Sequence, residues 1–230
     1  SAITPNTTAI MPVHVYGNPC DVDAIETIAK KNNLKVIYDA AHAFGVNCHC
    51  GSILKHGDLS VLSFHATKVF NTFEGGAIIS QDKKTKDYID KIKNFGFNGE
   101  TTVEHIGING KMSEFNAALG LLQLKQIDID IEKRQKIDQV YQEDLKDIVG
   151  IKCLNFTNME KGNYSYFPIF AEDDYPLTRD QLYDKLRENE INGRRYFYPL
   201  ITDFPMYEDM NTKKETVLIS SKSISKKVIC

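Results

Sequence analysis

Ala9-Ile10-Met11-Pro12-Val13-His14-Val15, the helix-like segment opened by Asp21-Val22-Asp23, and Lys35-Val36-Ile37-Tyr38-Asp39 together decide the fold. The first run is apolar without polar alternation, as a central strand is. Gly17-Asn18-Pro19-Cys20 then turns the chain. Asp21 is placed to N-cap a helix with Val22, Ile25, Ile28 and Ala29 on one face and Asp23 and Glu26 in its first turns. Asn32-Asn33 closes that helix, and Lys35 to Asp39 is the next strand. Working outward, Leu59-Ser60-Val61-Leu62-Ser63-Phe64 and Gly76-Ala77-Ile78-Ile79-Ser80 are two more short apolar runs between polar turns. This rhythm predicts an α/β fold with a mostly parallel sheet and helices on both faces. In such sheets ligands bind beyond the carboxyl ends of the strands. Asp39 and Lys68 lie at or just after such ends.

From Met112 to about Ile148 the periodicity becomes helical, through Phe115, Ala118, Leu119, Leu122, Leu124, Ile127, Ile131, Ile137, Val140, Tyr141 and Leu145. One helix of that length is unusual, so a break is expected near Asp128 to Asp130. That break divides the chain into an incomplete large domain, 1–127, and an incomplete smaller α/β domain, 128–230. In the second part Tyr164 to Phe170 reads as a strand, and Thr178-Arg179-Asp180-Gln181 has capping-box spacing. Arg194-Arg195-Tyr196-Phe197-Tyr198-Pro199-Leu200 completes a strand-helix-strand unit. Lys227 to Cys230 reads as the start of a strand, and the first strand has no partner before it, so both ends are expected to be cut.

With 28 Lys plus Arg against 31 Asp plus Glu, the net charge of −3 gives no electrostatic reason for a nucleic-acid or membrane-surface partner. No run of about 18 apolar residues predicts a transmembrane helix, and Ser1 to Asn6 lacks the basic and apolar regions of a secretory signal. Five cysteines, an odd number in a chain of 230 residues, read as free thiols in a reducing cytoplasm. Cys48-His49-Cys50 with His56 lacks the Cys-x-x-Cys spacing of structural zinc sites, so this segment is read as a loop and no metal is expected. His14 and His65 read as hydrogen-bonded structural histidines, and Tyr196 and Tyr198 as packing residues. The lysines at 213, 214, 222, 226 and 227 read as a solvated face.

An acid leaving one strand and a lysine leaving the next can face one crevice. Lysine between apolar strands loses its proton more readily through desolvation and becomes a nucleophile toward carbonyls. An aspartate beside it can hold a heterocyclic cation, and Ala40, Ala41 and Ala66 leave room for something flat. The residues alone leave open a plainer alternative, a snorkelling Lys68 and a helix-capping Asp39.

Six segments carry a resemblance. They are Tyr16-Gly17-Asn18-Pro19, Asp39-Ala40-Ala41-His42-Ala43-Phe44-Gly45, Ser63-Phe64-His65-Ala66-Thr67-Lys68, Glu74-Gly75-Gly76, Asn109-Gly110-Lys111-Met112-Ser113-Glu114 and Arg195-Tyr196-Phe197-Tyr198-Pro199-Leu200. In this order they resemble the DegT/DnrJ/EryC1/StrS family of pyridoxal-phosphate-dependent sugar aminotransferases, which have the aspartate-aminotransferase type I fold. The pairing of Asp-x-x-His with Ser-x-x-x-x-Lys is the specific part; either half alone is weak.

The resemblance implies that Lys68 forms a Schiff base with the cofactor aldehyde and then shuttles the proton between substrate and cofactor carbons. It implies that Asp39 pairs with the pyridine nitrogen, His42 hydrogen-bonds the phenolic oxygen, Ala41 packs flat on the ring and Ser63 binds the phosphate. Asn109 resembles a residue that reaches the phosphate from the neighbouring subunit, implying a homodimer with shared sites; Lys111 is a weaker candidate. A dehydrating branch carries histidine where Lys68 stands, so aminotransferase chemistry is implied. The run from Lys68 to Gly76 is similar to members acting on dTDP-linked 4-keto-6-deoxyhexoses. The expected activity is transfer of an amino group from glutamate to such a sugar, for polysaccharide or antibiotic-sugar synthesis. A 3-keto substrate, or a non-catalytic remnant lacking the phosphate-cradling loop and the ring-stacking aromatic of the family's N-terminal portion, stay open as alternatives.

Overall fold

Helix α1 (Val22–Asn32) begins where Asp21 Oδ1 accepts the Ala24 N–H at 3.0 Å, and ends where Asn33 turns left-handed at φ 52°. Its buried Val22 and Ala29 pack on Val36 and Tyr38 of the neighbouring strand, whereas Ile28, expected on the same face, is largely exposed. The structure is a computed structural model that describes residues 2–156, 159–207 and 218–230. Of the lysines read as a solvated face, 213 and 214 lie outside the described residues.

The chain forms two compact units, residues 1–135 with 156–165, and residues 136–155 with 166–230. In the first, β1 (Ala9–Ile10), β2 (Lys35–Asp39), β5 (Leu59–Ser63) and β6 (Gly76–Ser80) form one sheet in that order. Two pairings are parallel, with Ala9 opposite Lys35 and Asp39 opposite Val61; β6 runs antiparallel, with Gly76 opposite Ser63. The α/β reading with a mostly parallel sheet therefore holds. β1 is shorter than expected because Pro12 has no N–H to give a ladder. Pairing resumes at Val13, which bridges Asp39.

Between β2 and β5 lie a hairpin, β3 (Asn47–Cys48) and β4 (Gly51–Ser52), and a 3-10 turn at Ile53–Lys55. Ala40, Ala43, Val46, Cys48 and Ile53 from this connection complete the core under α1 and the sheet. After β6 come α2 (Lys83–Ile92), a small ribbon of β7 (Phe97–Asn98) and β8 (Thr102–Val103), α3 (Glu114–Gln123) and α4 (Ile127–Leu145). The helical stretch thus breaks at Leu124 to Gln126, just before the acidic residues where a break was expected. Ile127 and Ile131 of α4 are buried with Val69 and Phe70, but Phe115, Leu122, Ile137, Val140 and Tyr141 of the same periodic pattern are exposed.

The second unit holds β9 (Ile151–Cys153), β10 (Ile169–Ala171), α5 (Arg179–Glu188), α6 (Ile219–Lys227) and β11 (Val228–Ile229). Its sheet is antiparallel in the order β11-β10-β9, and Ile151, Ala171, Leu182 and Ile229 are its core. The expected capping box is present: Gln181 N donates to Thr178 Oγ1 at 3.3 Å and Thr178 N to Gln181 Oε1 at 2.9 Å. Two strand expectations need correction. Tyr164 to Phe170 is strand only from Ile169, since Tyr164 sits at φ 50° and Pro168 has no N–H. Arg194 to Leu200 is irregular, and Arg194 exchanges two backbone hydrogen bonds with Cys230 at 2.7 and 2.8 Å. Lys227 is not merely solvated, because it pairs with Glu172 at 2.8 Å and Asp173 at 3.0 Å. Tyr198 lies under the Arg179 guanidinium, 4.6 Å away, in the packing role expected of it.

Candidate active site

Asp39 is the last residue of β2, and Ser63 the last residue of its parallel neighbour β5. The sheet therefore delivers both side chains to the same carboxyl edge, where parallel α/β sheets place their ligands. Met11, Ile37, Asp39, Ala41, Val61 and Ser63 line one hollow of about 320 Å³ there. The Asp39 backbone is gripped on both sides: its N–H donates to Pro12 O at 2.9 Å and its C=O accepts from His14 N at 3.0 Å. Its carboxylate Oδ1 accepts the Ala41 N–H at 3.0 Å, which fixes the acid relative to the small residue beside it.

His42 follows on the buried side of the same turn. Its Nδ1 accepts the Tyr16 N–H at 3.0 Å, so in the neutral ring the proton sits on Nε2 and that atom is a donor. Burial, with the Lys68 charge adding to it and Asp39 opposing, lowers the His42 pKa to about 4. The Tyr16 N–H is aimed by an unusual turn. Tyr16, buried, sits at φ 58° and Gly17 at φ 84°, and a Cβ on Gly17 would stand 3.0 Å from the His42 carbonyl oxygen. The quoted Tyr16-Gly17 pair therefore belongs to the site through backbone geometry.

Lys68 lies on the turn after β5, its N–H donating to His65 O at 2.9 Å. Desolvation lowers its pKa, and the Asp39 charge opposes the shift. The two groups that sequence spacing pairs are thus within electrostatic reach of each other, and His42 feels the Lys68 charge as well. The turn is held by aromatic packing: Phe44 stacks on Phe70 at 4.4 Å, and Phe64 meets Phe70 edge-on at 4.9 Å. Further along, Asn116 Nδ2 of α3 donates to Thr72 O at 2.6 Å and Glu74 O at 2.7 Å. Ser63 Oγ accepts the His65 N–H at 3.3 Å.

Asn109 is exposed, on a segment that bridges Asn94 by backbone pairing. Its neighbours Ile106 and Ile108 are 100% and 71% exposed, so this stretch presents apolar side chains and an amide outward. Lys111 is engaged with Asn94 Oδ1 at 3.0 Å and with the Phe95 ring.

The clearest omission from the sequence reading is Asn163. Its Nδ2 donates to His42 O and Phe44 O, both at 2.8 Å, and its Oδ1 accepts from Ser165 N at 3.1 Å. Fully buried, it fixes the backbone of the Asp-x-x-His turn from a distant part of the chain. No local signal marks it, because the partners it satisfies are carbonyls far away in sequence. His14 is a structural histidine, stacked on Tyr38 at 4.6 Å and accepting the Cys20 N–H at Nδ1. Burial brings its pKa to about 4 as well.

A mostly parallel sheet that offers an acid, a small residue and a hydroxyl at one edge, with a half-buried lysine on the following turn, has the groups that a pyridoxal-phosphate transferase of the aspartate-aminotransferase fold needs. The donor set fits that cofactor: an anion for a pyridinium, an Nε2 donor for a phenolate, an amine for an aldehyde. The profile of the DegT/DnrJ/EryC1/StrS aminotransferase family matches residues 1–230, and the chain belongs to that family. It is 56% identical over its whole length to a dTDP-4-amino-4,6-dideoxy-D-glucose transaminase of Shigella dysenteriae, and 49% identical to one of Escherichia coli. Among solved structures it resembles that of DesI in the presence of its TDP-sugar product, with TM-score 0.91 and 30% identity over 99% of this chain and 58% of that one. The chain spans 62% of the length of those two transaminases.

Proposed function

We propose that the protein carrying this chain is a pyridoxal-phosphate aminotransferase that moves an amino group from glutamate to a dTDP-linked 4-keto-6-deoxyhexose. The observation that carries the reading is that Asp39 and Ser63 end neighbouring parallel strands at one carboxyl edge and line one hollow with Ala41, with Lys68 on the turn that follows Ser63. The two highly similar transaminases supply the substrate class.

When bound, pyridoxal phosphate supplies the aldehyde that carries the nitrogen and the ring that takes up electron density. The residues of this chain do the rest. Asp39 would hold a proton on the pyridine nitrogen by placing a carboxylate against it. His42 would orient the ring by donating from Nε2 to its phenolic oxygen. Ala41 would leave room for the flat ring on its face. Ser63 binds the phosphate through its hydroxyl. Lys68, as the neutral amine, would hold the cofactor at its aldehyde and, once the incoming amino donor has displaced it, would move the proton at the substrate carbon as general base and acid.

Asn109 completes the phosphate site of a partner subunit, so the active assembly is a homodimer. Its exposure on an outward-facing segment suits that role. In this reading 1–127 is part of the large cofactor-binding domain and 128–230 part of the smaller one, and the enzyme works in the cytoplasm. No helix of the described residues is long and apolar enough to cross a membrane.

The test is turnover with glutamate and paired dTDP-linked 4-keto and 3-keto 6-deoxyhexoses, followed by mass spectrometry and NMR of the amino sugar. The reading predicts an amine at C4 and formation of 2-oxoglutarate. Amination only of the 3-keto substrate would overturn the regiochemistry, and no amination of either would overturn the activity.

A further inference from the structure

The connection between Asp39 and Ser63 carries a second cluster with no part in the chemistry above. Its hairpin pairs Asn47 with Ser52 and Cys48 with Gly51, leaving His49-Cys50 as a two-residue loop. The next turn ends at His56, the residue that caps the 3-10 turn. Folding brings three ligand atoms into a nearly equilateral triangle. Cys48 Sγ and Cys50 Sγ are 3.1 Å apart, and His56 Nε2 is 3.4 Å from the first and 3.1 Å from the second. All three lie within 4.8 Å of one another, and all five cysteines of the chain are free thiols.

We propose that Cys48, Cys50 and His56 form a binding site for one thiophilic cation, Zn²⁺ in the first instance. Two thiolates and an imidazole are a soft-to-borderline donor set, which selects zinc over hard ions such as Mg²⁺. At ordinary bond lengths of about 2.3 Å to sulfur and 2.0 Å to nitrogen, an ion sits to one side of so small a triangle. The three ligands then occupy one face of a tetrahedron, and the fourth position is left to water. Binding releases two thiol protons to solvent, forms two Zn–S bonds and one Zn–N bond, and leaves the site without net charge.

The framework is in place before any ion arrives. Cys48 is buried at 2% exposure, so its sulfur is fixed by the core. Asn47 is pinned to residues 160 and 161 through backbone bonds with Glu160 and Lys161, and the His56 carbonyl accepts the Ser60 hydroxyl of β5. Cys50 is exposed and gives the ion a way in. His49 is not a ligand, because its Nε2 faces Asp23 Oδ2 at 3.7 Å. The sequence shows these three residues but not at knuckle spacing, which is why the segment read as a loop; the turn before His56 is what brings its Nε2 to both sulfurs. The clip ties the hairpin to the entrance of β5, and so braces the connection between two strands that carry site residues.

The experiment uses the purified protein, reduced and handled without oxygen. Zn²⁺ is titrated in competition with a chromogenic chelator, and Co²⁺ serves as the spectroscopic stand-in. The proposal predicts one Zn²⁺ per chain and, with Co²⁺, intense thiolate charge-transfer bands with tetrahedral visible bands. Cys50→Ser and His56→Ala should each weaken binding by roughly tenfold or more, because each removes a bond to the ion. Cys153→Ser, in the other unit, should leave binding unchanged. Cys50 and His56 are not fully buried, so these variants keep the core, and a thermal melt verifies that they fold. No stoichiometric binding, a Co²⁺ spectrum without thiolate bands, or full affinity in both variants would overturn the site. A Cys48–Cys50 disulfide that persists under reductant would overturn it too.

Discussion

His42 and His14 show what burial does to single residues in this chain. Both imidazoles have pKa values of about 4, with desolvation the leading cause in each. Unfolding exposes them to water, where the ordinary value is about 6.5. Between about pH 6.5 and 4 the unfolded chain therefore binds protons that the folded chain refuses, and stability falls as pH falls through that window. Above it neither histidine contributes to the pH dependence. Each is worth on the order of 3 kcal/mol when the window has been crossed. NMR titration should find both rings neutral at pH 6, with His42 protonated at Nε2; a charged ring at that pH would contradict the assignment. Asn163 is the other decisive residue. Asn163→Ala leaves the His42 and Phe44 carbonyls without their buried donor and should cost about 2–3 kcal/mol in urea denaturation. A cost under about 0.5 kcal/mol would mean that water replaces it.

Among the elements, those with local causes were legible in the sequence. Asp21 announces α1, Thr178 with Gln181 announces α5, and the apolar runs announce β2, β5 and β6. Thr178→Ala should cost about 1 kcal/mol in stability, read by chemical denaturation, since it removes the cap that opens α5. An unchanged midpoint would show that the helix is held by packing alone. What the sequence hid was set by long-range partners. The pairing of Arg194 with Cys230 is of that kind, whereas Pro12 in β1 and Tyr164 with Pro168 before β10 are local breakers that shorten their strands. The site splits in the same way. Asp39, Ala41 and Ser63 were readable from motif order and share one hollow. The support behind them, from Asn163 and the left-handed Tyr16-Gly17 turn, depends on contacts that no spacing encodes.

At the scale of the whole molecule, many apolar side chains of the helical stretch lie uncovered, Phe115 at 90% exposure and Leu121 at 65%. Such a face belongs against another surface, and the proposed dimer makes a quantitative claim about sharing. If Asn109 serves the partner's site, mixing and reassociating Lys68→Ala and Asn109→Ala chains produces hybrids with one intact site. Random pairing should then restore about a quarter of the wild-type rate, above either variant alone. Activity equal to the average of the two variants would place Asn109 in its own subunit's site or in none. All of this rests on Lys68 as the group that attaches the cofactor. The most direct measurement is borohydride reduction of the protein with pyridoxal phosphate, followed by peptide mapping. A single pyridoxyl label on Lys68, lost in Lys68→Ala, is expected. A label scattered over the surface lysines, or one that survives in Lys68→Ala, would contradict it.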